Sequence, residues 1–216
     1  YLRQYKIESD DVLENQVYAE RFSGRNYMVG RALVFQDVRV RELQNPDQPA
    51  VLPEVLASFY GDPNGLLGGR WKMGLSALGL YRNGNGQDVG RGSAELGWQR
   101  RYITGFGLVN KFDALLRGDA YKIADAQAFA ANNNDTTQTR GFAQGNWEVS
   151  YPFAKRLENS QIVISPIASL TAGTNIDNGD IPNEDSQGFT LDPTNLFEPN
   201  RFAGYDLIED GSHATY

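Results

Sequence analysis

The sequence predicts an all-β, antiparallel architecture, and three observations carry that reading. Apolar and polar residues alternate along many segments, the period of a strand with one dry and one wet face. Turn residues recur at hairpin spacing, giving about ten strands. The clearest candidates are long, from Thr139–Tyr151 to Gly105–Lys122, whereas strands of globular proteins centre on about 5–6 residues.

Each element has its own signal. Tyr1–Ile7 reads as a strand. Gln16–Phe22 and Asn26–Leu43 flank a tight turn at Ser23-Gly24-Arg25. Asn45–Pro49 holds two prolines and breaks the pattern. Ala50–Tyr60 is the next strand, followed by a turn at Gly61–Gly65. Gly69–Arg82 leads into Asn83-Gly84-Asn85-Gly86, a hairpin signal. Asp88–Ile103 and Gly105–Lys122 are separated only by Thr104-Gly105. Ala124–Gln138 is a polar loop whose alanines, Ala124 to Ala131, suit one helical turn. Thr139–Tyr151 and Gln161–Thr171 surround a turn at Pro152–Ser160, and Ser212–Tyr216 reads as a last strand. Pro166 lacks an N–H for the ladder, so a bulge is expected there.

The two faces differ in polarity. Along Gly105–Lys122, Phe106, Leu108, Phe112, Ala114, Leu116 and Ala120 oppose Lys111, Asp113, Arg117 and Asp119, with Val109 and Leu115 among the latter. Along Thr139–Tyr151, Gly141, Ala143, Gly145, Trp147, Val149 and Tyr151 oppose Arg140, Phe142, Gln144, Asn146, Glu148 and Ser150. Ala94, Leu96, Trp98 and Tyr102 share a face that Arg100 interrupts. A soluble sandwich buries such an apolar face between two sheets, whereas a transmembrane β-barrel turns it to lipid. Strand length and aromatics towards strand ends (Trp71, Tyr81, Trp98, Tyr102, Phe106, Tyr151) favour the antiparallel transmembrane barrel. The short turns at Ser23–Arg25, Gly61–Gly68, Thr104-Gly105 and Pro152–Ser160 fall on one side and the longer connections on the other, as in such barrels.

Composition excludes several classes. A net charge of −7 lacks the basic stripe that nucleic acid requires. There is no cysteine, hence neither a disulfide framework nor a thiolate metal site. Mean hydropathy is −0.49, and no helical membrane span is expected. No signal peptide is visible, so an exported chain has either lost one or is a fragment. His213 is the one histidine and Gly-x-Ser-x-Gly is absent, so neither a catalytic residue nor a cofactor is expected. Glu184-Asp185 and Glu209-Asp210 are neighbours that point apart on an extended chain, and they read as solvated loop charge. Asp177-Asn178-Gly179-Asp180 lacks the spacing of a calcium loop, and no metal is expected.

The stretch Ile181–Ala214 has neither period. It sets Phe189, Leu196, Phe197, Phe202 and Tyr205 among Asn, Asp, Gly and Pro. So many large apolar residues argue for an ordered loop. Three blocks within it, Ile181-Pro182-Asn183-Glu184-Asp185-Ser186, Asn195-Leu196-Phe197 and Asn200-Arg201-Phe202-Ala203-Gly204-Tyr205-Asp206, resemble the signature of the LptD (organic-solvent-tolerance, OstA) family of outer-membrane LPS-assembly proteins. Leu207 stands where that family usually has a basic residue. Val51–Glu54, Trp98–Ile103 and Ile164–Ala168 are family-like as well.

The resemblance implies a non-enzymatic translocon that passes lipopolysaccharide from periplasmic bridge proteins through a large barrel into the outer leaflet, with a lipoprotein of the LptE type as plug and outer-membrane lipid around it. About ten strands cannot close so large a barrel. Residues 1–216 are therefore expected to be one incomplete domain, an interior piece of the barrel, with residues 172–211 as a long extracellular or lumen loop. Asn195, Leu196, Phe197, Asn200, Arg201, Phe202, Gly204, Tyr205 and Asp206 are the candidate site. One reading is a folded loop with its aromatics in the barrel mouth, tied by Arg201 and Asp206 and turned at Gly204. The other is a gate element touching lipopolysaccharide. A general porin and a soluble sandwich binding domain are the alternatives for the whole chain.

Overall fold

The computed structural model describes residues 12–39, 48–82, 86–124, 135–179 and 181–216. Their strands are β1 (Val12–Ser23), β2 (Asn26–Asp37), β3 (Pro49–Tyr60), β4 (Arg70–Arg82), β5 (Asp88–Ile103), β6 (Val109–Ala124), β7 (Thr136–Ser150), β8 (Phe153–Arg156), β9 (Gln161–Ile164), β10 (Ile167–Gly173) and β11 (Ser212–Thr215). Nine of them form one sheet in the order β1-β2-β3-β4-β5-β6-β7-β10-β11, and β8 pairs with β9. Consecutive strands lie side by side, as antiparallel hairpins require. The ladder does not close between β1 and β11, which fits part of a barrel. The strand expected at Tyr1–Ile7, most of the Asn83–Gly86 hairpin and the helical turn at Ala124–Ala131 lie outside the described residues.

The chain divides into two compact units, residues 1–58, 75–92 and 120–138, and residues 59–74, 93–119 and 139–216. In the first, β1 and β2 pair from Val12↔Asp37 to Ser23↔Asn26 around Gly24, whose φ of +60° suits a residue without a Cβ. β3 faces β2 with a register shift between Arg31 and Leu33. Pro53, which has no N–H to give the ladder, sits in that irregularity. Arg31 and Glu54 pair across the two strands through two hydrogen bonds. Tyr121 and Ile123 are the deepest apolar side chains of this unit.

In the second unit the structure corrects three expectations. The strand expected from Gly105 begins at Val109, because Thr104–Leu108 closes a turn in which Thr104 N–H reaches Leu108 O and Gly107 N–H reaches Thr104 O. Gln161–Thr171 is two strands, β9 and β10, and Pro152–Ser160 contains β8 as well as the turn closed by Leu157 N–H on Ser160 O. No bulge forms at Pro166. Ser150 faces Ile167 and Phe153 faces Ile164, so one register runs past both prolines with no residue inserted. Pro152 and Pro166 remove donors from the ladder and thereby interrupt the strands without displacing them. Tyr151 N–H still reaches Pro166 O at 3.1 Å.

The sheet of this unit has inverted polarity. On β6, Phe112 and Leu116 are exposed, the latter 59 %, whereas Arg117 and Asp119 on the opposite face are buried. On β7, Trp147 is exposed while Arg140, Gln144 and Asn146 are buried. On β10, Leu170 is exposed and Ser169 and Thr171 are buried. A water-soluble core would show the reverse order. The long loop 174–211 lies on the polar face.

Candidate functional site

The polar face is polar because alternate residues of β6 and β7 carry charge, and the sheet register then brings Arg117, Asp119 and Arg140 together. Arg117 Nε donates to Asp119 Oδ1 at 2.8 Å. Arg140 Nε and Nη2 donate to Asp119 Oδ2 at 2.9 and 2.7 Å. The three side chains are 6, 1 and 4 % exposed in the order Arg117, Asp119, Arg140. Buried charges persist only when paired and fully hydrogen-bonded, and the remaining donors find the loop. Arg117 Nη2 and Arg140 Nη2 reach Tyr205 O at 2.6 and 2.7 Å, and Arg140 Nη1 reaches Asp206 O at 2.7 Å. The Arg117 guanidinium also lies 4.7 Å from the centre of the Tyr205 ring. Two arginines held by one aspartate thus grip two consecutive carbonyls.

The loop reaches this grip as a closed clasp. Asp206 is 1 % exposed and its Oδ2 accepts the N–H groups of Glu184 and Asp185 at 2.8 and 3.0 Å. In return Asp185 Oδ1 accepts Tyr205 N–H at 2.8 Å, and Ser186 Oγ accepts Asp206 and Leu207 N–H at 2.9 and 3.0 Å. Gln187 and Ala203 form a bridge beside it. Gly204 makes the reversal at φ +87°. The first and third sequence blocks are therefore the two halves of one hydrogen-bonded unit. Leu207, which stands where the family usually has a basic residue, joins the clasp through its backbone N–H.

Arg201 and Asp206 anchor the loop through different partners rather than through each other. Arg201 forms a two-pronged ion pair with Glu209, sits 5.1 Å above the Phe189 ring, and leaves Asp206 to the backbone. Phe202 meets Phe189 edge-on at 4.9 Å. Asn200 Oδ1 accepts Glu209 N–H at 2.9 Å. Asn195 belongs to a local turn, accepting Asp192 N–H at 3.0 Å and donating to Thr190 O at 2.9 Å. Leu196 donates its N–H to Asp192 O at 3.0 Å, and Phe197 lines an apolar recess with Leu108, Tyr151 and Pro166. Two carboxylates expected to be free loop charge, Asp185 and Glu209, are structural acceptors.

Arg117, Asp119, Arg140, Asn178 and Ser186 complete the site, although the sequence placed none of them among the candidate site residues. Asn178 Nδ2 donates to Ile208 O at 2.9 Å and its Oδ1 accepts from Arg140 at 3.3 Å. The signal that was present is charge on a strand face opposite an apolar one. Among the described residues no cluster of acidic side chains or His213 is arranged to hold a metal ion. His213 lies 3.7 Å from Glu209.

A cavity of about 590 Å³ with a mixed lining lies beside the clasp, its polar wall made by Lys72, Glu95, Gln99, Lys111 and Asp113 and its apolar wall by Trp98, Ala114, Leu115 and Pro199. Lys72 pairs with Glu95 at 3.2 Å and Lys111 with Asp113 at 3.6 Å, so the polar wall is charged yet balanced. Gln99 donates to Asp113 at 2.8 Å. Such a wall suits a hydrated polar group better than an apolar one.

Burial pulls the Glu209 carboxyl up, but the hydrogen bond and charge of Arg201 outweigh this and hold it below its ordinary value. The Arg201 guanidinium is raised by the same bond. A carboxylate depressed in the folded state stabilises above its unfolded pKa, and that contribution is lost as pH falls through the folded value. Amide protection over residues 200–210 should therefore hold at neutral pH and drop once the pH falls below the usual carboxylate range. Glu209→Gln should remove that drop, and a flat protection profile down to the same pH in the unaltered protein would refute the assignment.

The sequence model of the LptD family, LPS transport system D, matches residues 1–216, the whole chain. The chain belongs to the LptD family. Membership makes this LptD-family chain a component of lipopolysaccharide transport in a non-enzymatic family of outer-membrane proteins. No curated protein matches it. Among the described residues no helix is long and apolar enough to cross a membrane, which says nothing of a β-barrel.

Proposed function

We propose that this LptD-family chain is part of the outer-membrane translocon that assembles lipopolysaccharide into the outer leaflet. The observation that supports it best is the inverted polarity of β6, with Phe112, Ala114 and Leu116 outward and Arg117 and Asp119 inward. In this reading the apolar face meets lipid, the polar face lines the lumen, and residues 1–216 are one part of a larger barrel. The loop expected over 172–211, which begins after β10 at residue 174, enters from the extracellular end and folds against the lumen wall. Its clasp closes on itself and on the wall, so its first role is to fix the barrel mouth. The balanced polar wall of the cavity beside it gives lipopolysaccharide headgroups a wetted passage. A plug lipoprotein of the LptE type and the periplasmic bridge proteins are the expected partners.

The test is site-specific photocrosslinking in the full protein, assembled in its membrane. A photoreactive residue at Gln99 or Lys111 should give lipopolysaccharide adducts, whereas one at Phe112 or Leu116 should give adducts to bulk lipid. Loss of lipopolysaccharide adducts at the first pair, with small-solute conductance retained, would favour a porin. A chain that stays monodisperse without detergent would favour a soluble sandwich.

A further inference from the structure

Arg100 is an anomaly on the outward face. It shares that face with Ala94, Leu96, Trp98 and Tyr102, the apolar row of β5. Its neighbours explain how it is held. Arg100 Nη1 donates to Leu67 O at 3.0 Å and Trp98 Nε1 to Leu66 O at 3.0 Å, which ties the end of β5 to the turn between β3 and β4. Tyr151 Oη donates to Phe106 O at 2.8 Å and ties the end of β7 to the turn between β5 and β6. Tyr151 also meets Phe153 edge-on at 4.7 Å. Two short turns of this unit are thus each tied to a neighbouring strand end, at one end of the sheet.

That end is cationic in an acidic chain. Arg70, Arg100, Arg101, Lys155 and Arg156 lie there, all exposed, against Asp62 and Glu158. Lys155 shares a face with Phe153, and across the β8–β9 pair it stands opposite Ile162, as Phe153 stands opposite Ile164. The outward apolar surface therefore ends in aromatic side chains with Arg100 and Lys155 among them, while Arg101 and Arg156 alternate onto the opposite face at the same end; such long side chains can lay their stems on apolar surface and lift their charges to an interface. Charged ends of this kind attract anionic headgroups. Barrels carry their short turns at the periplasmic end, where the leaflet facing the rim is the one opposite to lipopolysaccharide.

We propose that this rim, centred on Arg100, Arg101, Lys155 and Arg156, binds the phosphate headgroups of anionic phospholipid in the periplasmic leaflet. The proposal rests on the membrane reading above and adds a lipid class and an end of the barrel to it. Each cation near an anionic surface favours it on the order of fivefold, and the effect is screened within roughly 10 Å at 0.1 M salt. The rim should therefore enrich anionic lipid at low salt and lose it at high salt.

The experiment uses the full protein in nanodiscs of phosphatidylethanolamine doped with phosphatidylglycerol, with native mass spectrometry counting the lipids retained after release from the disc. Retained phosphatidylglycerol should exceed its share of the disc several-fold. In the variant Arg100→Gln/Arg101→Gln/Lys155→Gln/Arg156→Gln it should fall to that share. Lys155→Gln/Arg156→Gln alone, in the exposed β8–β9 hairpin, should give an intermediate loss and guards against misfolding of the larger variant. A third disc carries lipid A as a competitor. Retention at the bulk share in the unaltered protein, no loss in either variant, or displacement of phosphatidylglycerol by lipid A would each overturn the proposal. Lipopolysaccharide crosslinking at Gln99 in the same variants is expected to persist. Its loss in the unaltered protein would count against the translocon reading instead.

Discussion

Arg140→Ala should detach the loop from the sheet. Arg140 is the hub of the site: its guanidinium donates twice to Asp119, once to each of Tyr205 O and Asp206 O, and once to Asn178. Alanine leaves Asp119, 1 % exposed, with Arg117 as its remaining side-chain partner among those bonds. It also leaves the carbonyl of the buried Asp206 without that donor. Breaking a buried ion pair by removing one partner costs about 3–5 kcal/mol, because the other charge stays buried. Arg140→Lys should not restore the loop, since an ammonium cannot reproduce the planar fork that spans a carboxylate and two carbonyls. Arg117→Ala should cost less, as it removes one bond to Tyr205, one to Asp119 and the stacking contact. The measurement is protease cleavage at the exposed Leu191 region together with the heat-modifiable barrel fraction in the full protein. Equal protection of the Arg140→Ala and unaltered loops would show that the grip is incidental.

How much of this was legible depends on the range of the interaction. Strand period is local, so β5 was bounded from sequence at Asp88–Ile103 and found there. The two faces of β6 and β7 were also legible, because alternation needs no knowledge of partners. Gly204 as a turn followed from glycine alone and was found at positive φ. The grip was not legible. Arg117 and Tyr205 are 88 positions apart, and only a paired sheet with a returning loop can bring them together. Arg201 and Asp206 read as ties of the loop, but their partners do not follow from sequence: the turn at Gly204 carries Asp206 back to Glu184 and Asp185 and leaves Glu209 for Arg201. Pro166 misled for a related reason. A missing donor was taken to require an extra residue, whereas here the ladder simply skips bonds between Ser150↔Ile167 and Phe153↔Ile164.

Inverted polarity also changes what a mutation on each face should do. In the proposed membrane orientation, outward positions such as Leu116 should tolerate any apolar side chain, because an exposed residue has no tight packing to preserve. Inward positions such as Asp119 tolerate almost nothing, because their partners are buried charges. The ordinary expectation, in which surface positions are permissive to charge and core positions to apolar exchange, is reversed in a barrel with a polar interior.

Gly204→Ala is expected to be as damaging as loss of a buried side chain, although it adds one methyl group. Two costs act together. The φ of +87° is a backbone conformation that residues with a Cβ rarely adopt, and holding one there costs about 1–3 kcal/mol. The added Cβ would also lie 2.4 Å from Asp185 O and 2.7 Å from Ser186 Oγ. Asp185 O is backbone, so it cannot rotate away, and Ser186 Oγ is held by the N–H groups of Asp206 and Leu207. Relief requires the two halves of the clasp to separate, which unpairs Asp206 from Glu184 and Asp185. Gly188→Ala in the same loop is the control, because a Cβ there meets nothing within 4 Å and its φ is not in the left-handed region. Amide exchange at Asp206 and Leu207, read beside the folded barrel fraction, should show lost protection in Gly204→Ala and none in Gly188→Ala. If both variants retain protection, the clasp is looser than its hydrogen bonds imply. If both lose it, the loop is generally intolerant and Gly204 has no special part.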